Sequence, residues 1–211
     1  MLSAWWTIVS SPAASLQHEY RITKWETDDG LPENSATAMV QTPDGNLWFG
    51  TFNGLVRFDG VKFTTFNPLN TPELPGAGIV NLHLHKSGRL WISTDKGLAS
   101  FKDGHWKRQG LNTSWTNRIV RTFAGNAAGV LYATSFDGAV CRIAGEEVIE
   151  LPPPTVAKGQ RGHVDSAGNI WAVSAQFFGH WDGGRWILSD AAATVTNKFR
   201  SSTTTTERYG F

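Results

Sequence analysis

Polar and apolar residues alternate along Ser35–Gln41, Ile79–His85, Arg118–Ala124 and Gln160–Val164. A glycine turn follows each run, then an aromatic-centred stretch: Leu47–Gly50, Arg89–Ser93, Val130–Thr134 and Asn169–Val173. Asn53-Gly54, Lys96-Gly97 and Asp137-Gly138 mark a second turn, ahead of Leu55–Phe58, Leu98–Phe101, Ala139–Ile143 and Phe178–Trp181. Asp59-Gly60, Asp103-Gly104, Ala144-Gly145 and Asp182-Gly183 mark a third, ahead of Lys62–Phe66, His105–Gln109, Val148–Leu151 and Arg185–Leu188. Alternation with period two between Asn-Gly and Asp-Gly pairs predicts short antiparallel strands joined by tight hairpins. The chain therefore divides into four units of strands a to d, at 35–66, 79–109, 118–151 and 160–189.

The units repeat. Gly45, Gly88, Gly129 and Gly168, and the aromatics Trp48, Trp91, Tyr132 and Trp171, step together by 43, 41 and 39 residues. A period near forty carried by aromatics, glycines and β-formers is that of a β-propeller blade, so an all-β propeller is expected. A recurrent aromatic is packing between neighbouring blades, and the four glycines are turn positions. The connections between units carry Pro72, Pro75 and Pro152–Pro154, which no central strand tolerates. Phe177 stands where the other units have Gly54, Gly97 and Gly138, so the last unit's b–c turn differs.

The ends break the rhythm. Tyr20–Trp25 resembles a spare d strand, to which no a, b and c strands correspond. The expected architecture is thus a partial propeller over 20–190: four four-stranded antiparallel blades plus an N-terminal outer strand at 20–25, an open arc of a larger, seven-bladed propeller. An isolated arc would leave an apolar blade face uncovered. Residues 1–19 read as a clipped export signal, with the apolar run Leu2–Val9 followed by small residues to Ser15. Residues 191–211 read as an irregular tail.

Composition narrows the function. The 211 residues carry a net charge of +1 with scattered Lys and Arg, unlike a nucleic-acid footprint. No run of eighteen apolar residues predicts a membrane span. The lone Cys141 is expected to be a small buried hydrophobe. His83 and His85 share a strand face but have no third ligand, and His163 matches His83 in its unit. No nucleophile elbow, zinc-protease or phosphate-loop motif is present, and turn aspartates on separate blades seldom meet as an acid pair. No catalytic residue, metal or cofactor is assigned.

The order Asp29-Gly30-Leu31-Pro32-Glu33-Asn34, Asp44-Gly45-Asn46-Leu47-Trp48-Phe49-Gly50-Thr51 and Gly54-Leu55-Val56-Arg57-Phe58-Asp59-Gly60 resembles the two-component regulator propeller repeat. The likeness is close in the first unit, good in the second and weaker in the last two. It implies a non-catalytic, periplasmic or otherwise extracytoplasmic sensor of an oligosaccharide or other small ligand. It also implies remaining blades and downstream histidine-kinase domains on a longer chain, with a homodimer as a further expected partner. A propeller lyase or glycosidase fragment, or a protein-interaction scaffold, are the alternatives. Ligand contacts are expected where repetition fails, on the side where strand a begins and the b–c turns emerge. That side carries Asn34, Phe52, Asn53, Trp115, Asn117, Arg118, Phe136, Asp137, Gln176 and Phe177. Aromatic faces beside Asn, Arg and Asp suit a sugar's C–H surface and hydroxyls.

Overall fold

A computed structural model describes residues 23–125, 129–153, 161–165, 169–173 and 177–190. It contains sixteen strands in four separate four-stranded sheets. Blade 1 holds β1 (Ala38–Gln41), β2 (Leu47–Thr51), β3 (Gly54–Phe58) and β4 (Phe63–Phe66). Blade 2 holds β5 (Ile79–Leu84), β6 (Leu90–Thr94), β7 (Gly97–Lys102) and β8 (His105–Gln109). Blade 3 holds β9 (Val120–Gly125), β10 (Leu131–Ser135), β11 (Val140–Ala144) and β12 (Glu147–Glu150). Blade 4 holds β13 (Arg161–Val164), β14 (Ile170–Val173), β15 (Phe177–Trp181) and β16 (Trp186–Asp190). Each sheet is an antiparallel meander in chain order, as tight hairpins require. The sheets adjoin in chain order along their a strands, β1 beside β5, β5 beside β9 and β9 beside β13.

The periodic residues do what their period implies. Trp48 and Trp91 are each 1% exposed. Trp48 packs on Phe101 and Trp106 of blade 2, with ring centroids 5.1 and 6.1 Å away. Trp91 shares a core with Leu131, Ile143 and Val148 of blade 3. Tyr132 is half-buried against the cluster of Val140 and Ile170, on which Trp181 and Trp186 of blade 4 also pack. Trp48, Trp91 and Tyr132 thus each face the next blade. Gly45, Gly88 and Gly129 sit at φ 87, 78 and 80°, where a side chain would be strained, while Gly168 lies outside the described residues. Polar stitches between a-strands and their neighbours add specificity: Thr37 Oγ1 donates to the Ile79 carbonyl, and Ser93 Oγ both donates to and accepts from the Val120 backbone.

The spare outer strand is corrected in its described part. Thr23–Trp25 is irregular, and a 3-10 turn follows at Thr27–Asp29. Tyr20–Ile22 lie outside the described residues, as do the leader at 1–19 and the tail at 191–211. Trp25 nonetheless lies on the face of blade 1 opposite Trp48, 5.0 Å from Phe58 and 5.8 Å from Phe63. Tilted and edge-on ring contacts, without strand pairing at Thr23–Trp25, attach this segment. Cys141 is fully buried, and burial above all pushes its thiol pKa up.

Candidate functional site

The beginnings of the a strands and the b–c turns do share one side. The Phe136 amide donates to the Ile119 carbonyl at 3.3 Å, and the Asp95 amide donates to the Gly78 carbonyl at 2.7 Å. Strand b ends in a hydroxyl residue in blades 1 to 3, and that hydroxyl closes the turn. Thr51 donates to the Gly54 carbonyl, Thr94 to Gly97 and Ser135 to Ala139. The turns themselves differ. Thr51 pairs with Gly54 and Thr94 with Gly97, leaving two residues between. In blade 3 the last pair is Thr134 with Val140, leaving five residues between. The wider turn places Asp137 toward the lead-in to β9.

There the loop face forms a cleft of about 190 Å³ between blades 3 and 4. Arg118, Asp137, Glu150, Pro152, Pro153 and Trp186 line it. One guanidinium nitrogen of Arg118 lies 3.5 Å from an Asp137 carboxylate oxygen and 3.3 Å from one of Glu150. Its Nε donates to the Ser114 carbonyl at 3.0 Å, and Ser114 Oγ donates to Glu150. The guanidinium sits 5.5 Å from the Trp115 ring. On the far wall, Trp186 Nε1 donates to the Pro152 carbonyl at 2.7 Å, which fixes the indole. The cleft offers a pinned cationic donor, two carboxylate acceptors, and an indole beside two proline rings. Two acids around one arginine leave it net negative, which suits a neutral or cationic polar ligand over an anion.

The other expected residues scatter. Phe52 and Phe136 are 61% and 60% exposed, but on blades 1 and 3. The Phe52 amide donates to Glu33, and Arg121 lies 5.9 Å from the Phe136 ring. Asn34 is occupied locally, its Oδ1 accepting from the Thr27 amide, and the Asn53 amide donates to Thr51 Oγ1. Asn117 is exposed. Trp115 is corrected: it is 0% exposed, inside the core that holds Trp91, so its ring supports the cleft from beneath and meets no solvent. Gln176 lies outside the described residues, and nothing is described of the Phe177 side chain. Glu150 and Trp186 were missed because both occupy repeat positions on d strands, β12 and β16. Their only signal was the Pro152-Pro153-Pro154 run, which follows Glu150 after one intervening residue in the sequence.

The two strand histidines have structural places. His83 stacks on Phe123, and burial lowers its pKa. The His85 ring bonds Ser87 and the Gly129 carbonyl. His83 and His163 occupy matching positions, opposite Trp91 and Trp171. Among the described residues no three His, Cys, Asp or Glu side chains gather as a metal site. No described helix is long and apolar enough to cross a membrane.

Comparisons agree with this architecture. Residues 30–53 match the family model described as two component regulator propeller. The fold is similar to the extracellular domain of BT4673 from B. thetaiotaomicron, described as a putative hybrid two component system. That likeness has TM-score 0.57 at 16% identity and covers 74% of this chain but 22% of that one. The extracellular domain of BT3049 from the same organism, described likewise, gives TM-score 0.53 at 17% identity, over 84% of this chain and 24% of the other. Virginiamycin B lyase from Staphylococcus aureus gives TM-score 0.55 at 17% identity, over 76% and 57%. The chain thus spans about a quarter or less of the two sensor-type structures. At such identities these neighbours establish a propeller fold. No curated protein matches the chain.

Proposed function

We propose that these blades form part of the extracytoplasmic, ligand-sensing propeller of a two-component regulatory protein, non-catalytic in itself. The observation that carries this reading is the match of residues 30–53 to the two component regulator propeller, on a chain whose sheets pack as propeller blades. The extracellular placement of the BT4673 and BT3049 domains supports a periplasmic or other extracytoplasmic site. In this reading further blades and signalling domains lie on a longer chain, and a homodimer passes on the response.

The ligand meets the loop face at the Arg118 cleft. Its class is an oligosaccharide or other small hydroxylated molecule. Hydroxyls donate to Asp137 and Glu150, Arg118 donates in return, and a sugar C–H face rests on Trp186. Isothermal titration of the chain against an oligosaccharide panel tests this. Saturable heat without product is expected, and Asp137→Asn weakens binding by about tenfold, roughly 1.4 kcal/mol. No heat from any panel member with a folded protein overturns the ligand class, as does an unchanged affinity in Asp137→Asn for the site. One geometric fact favours an enzyme as second reading: Asp137 and Glu150 flank the same guanidinium nitrogen. Paired carboxylates around a sugar bond are the arrangement of glycoside hydrolysis. Release of a shortened sugar during titration would decide for it.

A further inference from the structure

A second cleft lies on the opposite side, where the a–b and c–d turns emerge. It is a cavity of about 370 Å³ between blades 1 and 2, bounded by Thr42, Asp44, Trp48, Arg57, Lys102 and Asp103. Arg57 stands on β3 directly across from Trp48. Its guanidinium carbon lies 5.9 Å from the Trp48 ring and 5.8 Å from Phe66. Its Nε is shut off from solvent and has no hydrogen-bond partner among the described residues. Arg89 and Arg118 each end on a carboxylate. Arg57 instead lines an open cavity, and its charge is felt only weakly by Asp59, whose carboxyl is held low chiefly by the Lys62 and Val61 amides.

An arginine packed on rings, with one donor desolvated and unpaired, carries a cost that a neighbouring anion offsets. The acids at the rim do not supply it. Asp44 is engaged by Thr42 Oγ1 and by the backbone and side-chain amides of Asn46. Asp103 sits in its turn at φ 49° and makes no ion pair among the described residues. Lys102 adds a second cation. A guanidinium matches a single carboxylate, which its planar fork of donors recognises. Two rim carboxylates repel a dianion such as sulfate and accept hydroxyl protons. We propose that this cleft binds a small hydroxy-carboxylate, with Arg57 on the carboxylate, Lys102 adding positive charge at the rim, and Asp44 and Asp103 on its hydroxyls. The site stands on the opposite face from the Arg118 cleft and does not depend on it.

The probe is D-glucuronate, with D-glucose and inorganic sulfate as controls, titrated into the chain while backbone amide NMR shifts are followed. Glucuronate is expected to move Thr42–Asn46 and Phe101–Gly104, and to bind about tenfold more tightly than glucose or sulfate. Arg57→Lys weakens it about tenfold, through loss of the fork. Lys102→Ala, at a half-exposed residue whose loss leaves the core intact, weakens it about threefold and reduces the salt dependence. Equal binding of glucose, equal binding of sulfate, shifts confined to Asp137 and its neighbours, or indifference to both substitutions in folded protein would each overturn the assignment.

Discussion

Blades 1 and 2 and blades 3 and 4 share one sequence plan and differ in how far it is buried. Trp48 and Trp91 are sealed by the blade that follows each. Tyr132 is half-buried, and so is Trp171, whose ring contacts among the described residues stay within its own blade, 5.2 Å from Phe178 and 5.5 Å from His180. Around Trp171 the outward residues Val173, Phe178 and Ile187 are 46%, 40% and 36% exposed. Ile170 and Ala172, alternate on the same strand, are 2% exposed. A blade therefore supplies half of its own core. The same aromatic is sealed or left half-buried according to what stands beside it.

Replacement of the aromatics breaks this comparison most directly. Trp91→Ala is expected to cost about 3–5 kcal/mol, the usual loss for a large aromatic removed from a packed core. Trp171→Ala is expected to cost about 1–2 kcal/mol, since the half-buried ring takes less apolar area out of water. Urea unfolding of the full chain measures both, with Trp91→Phe as the gentler variant should the alanine protein not fold. Equal losses at the two positions would mean that Trp171 is covered in solution.

The strands were legible because two signals coincide at each: alternation sets the strand, and a glycine pair sets its end. All sixteen fall within a few residues of the expected bounds. The site was legible only in part. Arg118 and Asp137 stood out as departures from the repeat, and they do meet. Glu150 and Trp186 did not stand out, because a residue on a d strand looks like packing until the connection after it is placed. Trp115 misled for the converse reason. It has no counterpart in the period, yet a connection between blades can bury a ring as thoroughly as a strand does. The b–c turns show a further limit. Ser135-Phe136-Asp137-Gly138 has the spacing of Thr51-Phe52-Asn53-Gly54, but its ladder closes earlier, at Thr134 with Val140, and leaves a longer turn.

Glycines sharpen the comparison at the turns. Gly97 has φ 136°, and a Cβ there would lie 2.7 Å from the Thr116 carbonyl oxygen. Gly145, in the c–d turn of blade 3, has φ 63° and nothing within 4 Å. Alanine at Gly97 meets both a forbidden backbone region and rigid backbone, so a loss of about 3 kcal/mol is expected. Alanine at Gly145 adopts the left-handed region at about 1 kcal/mol. Thermal melts of the two variants should therefore differ by several degrees, with Gly97→Ala the lower. A reversed order would show that the tight front turns yield more readily than the open rear ones.

The smallest effect tests whether blades 2 and 3 are also held by charge. Glu146, on the c–d turn of blade 3, lies 2.6 Å from both Arg89 and Lys107 of blade 2. The Lys107 hydrogen bond, then the Arg89 charge, hold its carboxyl below the ordinary value of 4.5. A carboxylate lowered by folding binds fewer protons folded than unfolded, so its contribution is complete above 4.5 and fades as pH falls through the folded value. The carboxylate is exposed to solvent, and screening keeps the contribution small. Glu146→Gln should lower stability slightly at neutral pH and low salt, with the difference from wild type vanishing both in acid and in about 1 M salt, where the Debye length is near 3 Å. A difference that survives high salt would mean that the glutamate acts by packing between the blades and not by its charge.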